Sequence, residues 1–124
     1  MVLSVLVVDD EPAVRENLSA YMEDEGMAVS EAESGEQAVE LARDGGLFQV
    51  CVMDLRLPGM DGNAAILALH ALQPKLRFLV HTGSTHYVLP PSLRAIGMSE
   101  GDVFMKPLAD MSLLADAIRE AARA

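Results

Sequence analysis

The sequence predicts an α/β fold: a doubly wound, five-stranded parallel sheet flanked by five helices. Short apolar runs alternate five times with segments of helical spacing. The runs are apolar on both faces, as strands covered on both sides require, instead of alternating apolar with polar. The 124 residues, 51% hydrophobic and 23% charged, suit one domain of ordinary size, taken as spanning 1–124.

The first strand is expected over Val2 to Val8. After Asp-Asp-Glu-Pro, Val14, Leu18, Tyr21 and Met22 recur with helical spacing, and Pro12 suits the first turn of that helix. Gly26 stops it, and Met27 to Glu31 reads as the second strand. Ser34 with Gln37 three residues on is a capping-box signal for a second helix, with Ala38, Leu41 and Ala42 facing inward. Gly45-Gly46 ends it, and the third strand is expected over Phe48 to Met53, closed by Asp54 and the loop "DLRLPGMDG". A third helix follows over Asn63 to Leu72, and Pro74 closes that segment. Leu76 to Val80 gives the fourth strand, leading into His81-Thr82-Gly83. Pro90-Pro91 interrupts the next stretch and leaves room for only a short helix over Ser92 to Ile96. Val103 to Met105 is the fifth strand, and Met111 to Ala122 the last helix, with Leu113, Leu114, Ala117, Ile118 and Ala121 on its inward stripe.

Composition excludes several function classes. A net charge of −10 repels nucleic acid and anionic membranes, and no basic patch offsets it. No apolar run approaches the length of a membrane span, and the first residues lack the basic region of a secretory signal. One cysteine, Cys51, in an apolar run gives no disulfide framework. These features together predict a cytoplasmic protein.

Loops leaving the carboxyl ends of the strands of such a sheet gather along one edge, where ligands bind. That edge receives Asp9 and Asp10 from the first strand, Asp54 from the third, Thr82 from the fourth, and Lys106, followed by Pro107, from the fifth. Three carboxylates in one cleft repel one another without a cation, and an all-oxygen donor set suits Mg2+ or Mn2+ better than zinc. A carboxylate beside a hard metal and an ammonium is also an arrangement for phosphoryl transfer. Asp54 is the candidate nucleophile, forming an aspartyl phosphate; Lys106 and Thr82 would contact phosphoryl oxygens.

With the acidic pair, the segment around Asp54, Thr82 after an apolar strand and the Lys106-Pro107 dipeptide all in order, the chain resembles the receiver domains of two-component response regulators, related to the chemotaxis protein CheY. The resemblance spans essentially the whole sequence and implies the strand order 2-1-3-4-5. It implies that a sensor histidine kinase, a phosphotransfer protein or, slowly, a small phosphodonor phosphorylates Asp54. By the same resemblance Asp10, Asp54 and the backbone carbonyl of Arg56 hold Mg2+, with Asp9 acting mainly through water. Phosphorylation would then shift the surface offered to an output protein or an attached effector domain. The chain would be no enzyme beyond its own phosphoryl transfer and dephosphorylation, and would bind neither nucleic acid nor membrane.

The sequence departs from the family pattern in the segment after Thr82, which is slightly longer and broken by Pro90-Pro91, and in the fifth strand. Val103 stands where the family has a switch aromatic, and Phe104, one place later, should point to the opposite face. Arg56 and Ser84 occupy positions that bear on phosphate lifetime in the family.

Other residues are assigned no chemistry. Glu11 is read as complementing a helix dipole, and His70, His81 and His86 share no ligand spacing. A phosphatase acting on an external substrate would usually need an acid two residues after Asp54, where Arg56 stands. A phosphorylation-independent interaction scaffold with the same fold is the remaining alternative.

Overall fold

A computed structural model describes residues 2–108 and 110–123; the two ends of the expected 1–124 span lie outside the described residues. Five strands, β1 (Ser4–Val8), β2 (Ala28–Ala32), β3 (Val50–Met53), β4 (Arg77–Thr82) and β5 (Val103–Met105), pair in parallel in the order β2-β1-β3-β4-β5. Five helices connect or follow them: α1 (Pro12–Asp24), α2 (Gly35–Arg43), α3 (Gly62–Leu72), α4 (Pro91–Ala95) and α5 (Met111–Arg123). The expected fold class and strand order are both observed.

Strand limits shift where pairing begins or ends. β1 starts at Ser4 instead of Val2, because the ladder opens with the Ser4–Ala28 pair and leaves Val2 exposed. β2 likewise starts at Ala28, after Met27. Phe48 and Gln49 precede β3: the Phe48 N–H turns away to Gln73 Oε1, while the Gln49 N–H still donates to the Ser4 carbonyl of β1 at 2.8 Å. β4 runs past Val80 through His81 and Thr82, since these pair with Phe104 and Met105 of β5. α4 begins at Pro91 and is five residues long, as the double proline requires.

Alternation along each buried strand divides the interior into two layers. Leu6, Val8, Cys51, Met53 and Val80 face α2, α3 and α4, where Ala38, Ile66, Leu69 and Leu93 close the packing. Val5, Val7, Val50, Val52 and Leu79 face α1 and α5, against Leu18, Met22, Leu114 and Ile118. Each fully buried Leu or Ile contributes about 2 kcal/mol relative to exposure. One expected inward position is corrected: Leu113 of α5 is exposed, and Ala115 is buried in the stripe instead. The α1–α5 layer admits the small side chain at that helical angle and turns the leucine outward.

Local signals fix the helix starts near the chemistry. The Ser34 side chain accepts the Gln37 N–H at 3.0 Å and caps α2 as expected, but Gln37 Oε1 accepts the N–H of Glu33, one residue before the cap, so only half of the expected capping box forms. Asp61 caps α3 through the Ala64 N–H at 2.8 Å. Gly62 then seats α3 directly on the end of β3: a Cβ there would lie 2.5 Å from the Asp54 carbonyl oxygen and 2.7 Å from Leu55 Cα.

Candidate functional site

The ladder continues one residue beyond β1 and β3 and so fixes the first acidic residues. The Asp54 N–H donates to the Val8 carbonyl at 2.9 Å and the Asp9 N–H to Ala32 at 3.1 Å. The Lys106 N–H donates to the Thr82 carbonyl at 2.8 Å, so β4 and β5 also end side by side. Main-chain pairing alone therefore brings four strand ends, those of β1, β3, β4 and β5, and their side chains to one edge.

At that edge Lys106 Nζ lies 2.9 Å from Asp9 Oδ2, 3.5 Å from Asp54 Oδ2 and 3.5 Å from Glu11 Oε1. Asp9 and Asp54 are buried, whereas Asp10 and Glu11 are exposed. Burial, then the neighbouring Asp9, raises the pKa of Asp54; Lys106 and the Arg56 N–H, which donates to Asp54 Oδ1 at 3.3 Å, oppose that rise. Burial acts to lower the pKa of Lys106, but Asp9, Asp54 and Glu11 outweigh it and hold the ammonium above its ordinary value.

One carboxylate oxygen each from Asp9, Asp10, Glu11 and Asp54 lies within 4.8 Å of the others. Four carboxylates against one ammonium leave the cluster strongly negative, and all the donors are hard oxygens. The residues present therefore fit a divalent cation of the Mg2+ or Mn2+ type.

The candidate residues fall into two groups. Asp9, Asp10, Asp54 and Lys106 converge. Thr82 is fully buried at the end of β4, with its Oγ1 accepting the Ser84 N–H at 3.1 Å. Arg56 is exposed, and its amide faces Asp54. Phe104 packs with the α1–α5 layer and Val103 with the opposite one, as the period of two requires.

Three residues near the site escaped sequence reasoning. Glu11, read as a helix-dipole complement only, belongs to the acidic cluster and contacts Lys106. Arg15 donates to the Asp9 carbonyl at 2.8 Å and pairs with Glu31 at 3.1 Å, which holds the turn carrying the acidic pair. Glu36 of α2 accepts the Met60 N–H at 3.2 Å and so braces the loop after Asp54. The spacing of Glu11 and Arg15, one helical turn apart, was the only available signal, and it does not say what either residue faces. His81, given no role, is buried on β4. Burial, then Lys106, holds its imidazole below the ordinary pKa.

The sequence model of the family described as response regulator receiver domain matches residues 5–119. Among curated relatives, the transcriptional regulatory protein AruR of Pseudomonas aeruginosa is 35% identical over 94% of this chain and 48% of its own length. The signal transduction histidine-protein kinase BarA of Escherichia coli is 30% identical over 91% of this chain and 12% of its own length. The chain thus spans half or less of the length of these relatives. A CheY-like response regulator receiver domain protein from Methanospirillum hungatei superposes with a TM-score of 0.86 at 24% identity, covering 99% of this chain and 95% of that one; this likeness shows the fold.

Proposed function

Because the chain belongs to the response regulator receiver domain family, the phosphoacceptor modules of two-component signalling, we propose that Asp54 is its acceptor and that the unit spanning 1–124 is the receiver. The observation that carries this reading is the bridge of Lys106 to both buried carboxylates, Asp9 at 2.9 Å and Asp54 at 3.5 Å, inside the acidic cluster.

In the proposed reaction an Asp54 carboxylate oxygen attacks phosphorus. With a phosphohistidine donor the P–N bond breaks and its electron pair returns to the imidazole; with acetyl phosphate a P–O bond breaks and acetate leaves. Asp54 needs no base, since it is an anion wherever the pH exceeds its raised pKa. Lys106 already contacts the attacking carboxylate, and its ammonium follows the negative charge from Asp54 onto the phosphoryl oxygens. The Thr82 hydroxyl has a proton to donate to one of those oxygens, because its bond to Ser84 uses only an oxygen lone pair. Mg2+ or Mn2+ bound by Asp9, Asp10, Asp54 and the Arg56 carbonyl would supply positive charge against the phosphoryl group.

The donor in this reading is a histidine kinase or phosphotransfer protein, and the recipient of the signal an output protein or effector domain. The reading includes no turnover of an external substrate and no direct contact with nucleic acid or membrane, and it places the reaction in the cytoplasm. No helix among the described residues is long and apolar enough to cross a membrane. The scaffold alternative is not favoured, because two carboxylates buried beside each other cost several kcal/mol of desolvation that a scaffold has no reason to sustain.

Intact mass spectrometry after incubation with acetyl phosphate, with and without Mg2+, tests the proposal. A single Mg2+-dependent phosphoryl adduct is expected, and Asp54→Asn should remove it. A folded, Mg2+-binding chain that forms no adduct, or an Asp54→Asn variant that still forms it, would overturn the assignment.

A further inference from the structure

Two neighbouring carboxylates of the acidic cluster are held in different ways. Every polar group of Asp9 is engaged. Its N–H donates to the Ala32 carbonyl at 3.1 Å and its Oδ1 accepts the Glu11 N–H at 3.0 Å. Its Oδ2 lies 2.9 Å from Lys106 Nζ, and its carbonyl oxygen accepts a hydrogen bond from Arg15 Nη1 at 2.8 Å. Asp10, by contrast, is exposed, and among the described residues no hydrogen bond or ion pair holds its carboxylate.

What aims Asp10 is therefore main-chain geometry. The peptide joining Asp9 to Asp10 is planar, so a bond to its carbonyl oxygen fixes the plane from which Asp10 leaves. Arg15 makes that bond from α1, and a charged donor makes it one of the stronger kind. The Arg15 side chain is only 14% exposed and is itself braced: its Nε donates to Glu31 Oε1, on the edge strand β2, at 3.1 Å. One rigid guanidinium fork thus reaches a main-chain oxygen and a carboxylate together, a geometry that a single ammonium on a flexible stem does not reproduce. Charge alone argues against an arginine in this place, because a fixed positive charge beside the cluster opposes any cation bound there. Its use is geometric.

We propose that Arg15, braced by Glu31, is a positioning residue for the divalent cation, raising the affinity of the cluster by fixing the direction of Asp10. The inference rests on the reading of the cluster as a Mg2+ site.

The test is a Mg2+ titration of the full chain followed by 1H–15N NMR at the amides of Asp10, Glu11 and Asp54, for the parent, Arg15→Met and Glu31→Gln. The first variant removes a positive charge and the second a negative one. Charge alone would therefore tighten Mg2+ binding in Arg15→Met and weaken it in Glu31→Gln, whereas loss of position weakens it in both. The expected rise in Kd is about tenfold in Arg15→Met and about threefold in Glu31→Gln, with circular dichroism unchanged. If Arg15→Met fails to fold, Arg15→Lys, which keeps the charge and loses the fork, should raise Kd by about threefold or more. Tighter or unchanged binding in Arg15→Met, unchanged binding in Glu31→Gln, or parental affinity in Arg15→Lys would each overturn the positioning role while leaving the Mg2+ site standing. A parent chain without saturable shifts would overturn the Mg2+ reading itself, and this inference with it.

Discussion

The two halves of the sheet edge are built to different standards. On the β1–β3 side, Val5 to Val8 and Val50 to Met53 are all buried, and main-chain bonds extend past the strand ends to hold Asp9 and Asp54. On the β4–β5 side, β5 is three residues long with none fully buried, α4 has five residues, and Val88 and Met105 are exposed. The carboxylates thus sit where burial and pairing leave the backbone little freedom. The surface available for a response sits where little burial would be lost on rearrangement, and low-stability segments are the ones a new charge can displace.

Breaking the well-built half should have the largest effect. Lys106 is the one cation among the described residues that reaches both Asp9 and Asp54, so Lys106→Met leaves two buried carboxylates facing each other. A loss of about 3 kcal/mol is expected in urea unfolding at neutral pH. Adding Asp54→Asn to Lys106→Met should recover part of that loss, since one of the opposed charges is then gone. Simple additivity of the two variants would mean that the charges do not act as a unit.

A smaller effect tests the backbone of the same half. In Gly62→Ala the new methyl would meet the Asp54 carbonyl oxygen at 2.5 Å, so either α3 or the end of β3 must shift. The cost should be about 2 kcal/mol, and the yield of phosphoryl adduct should fall as Asp54 moves. An unchanged yield with lowered stability would show that α3 alone gives way.

Asp54→Asn alone should act in the opposite direction. The folded-state pKa of Asp54 is raised, first by burial and then by Asp9, so the native state holds the proton more tightly than the unfolded chain. Stability is therefore lost as pH rises from the unfolded value, about 3.9, through the folded one. Asn removes this cost, so the variant should melt higher than the parent at pH 7, and the difference should shrink to nothing below about pH 4. Thermal melts across that interval check it.

How far the sequence was legible follows the same division. The β1–β3 half was readable because an apolar run closed by a carboxylate is a local signal, and parallel pairing then brings Asp9 and Asp54 together. Glu11, Arg15 and Glu36 were opaque because each acts on a backbone or side-chain group whose position depends on the tertiary fold. Leu113 misled because hydropathy cannot distinguish a leucine facing solvent from an alanine filling a narrow gap two residues later. The short α4, by contrast, was announced by its two prolines, whose restriction is purely local.

The smallest expected effect probes the loosely built half directly. Tyr87 Oη donates to Asn63 Oδ1 at 2.9 Å and ties the segment between β4 and α4 to the first turn of α3. Tyr87→Phe keeps the ring and removes that bond, so the cost should be about 1 kcal/mol. Its location matters more than its size. Hydrogen exchange should quicken over residues 84–89, while the amides of β1 and β3 keep their protection, because this segment gives only Leu89 and part of Tyr87 to the layer under those strands and the helices cover the rest. If β1 and β3 quicken by the same factor, the segment unfolds only with the whole sheet, and the β4–α4 connection is no more responsive than the acidic edge. A local response would instead make Tyr87 a natural reporter: the chain has two tyrosines and no tryptophan, so a Tyr21→Phe background assigns any emission change on acetyl phosphate treatment to this segment.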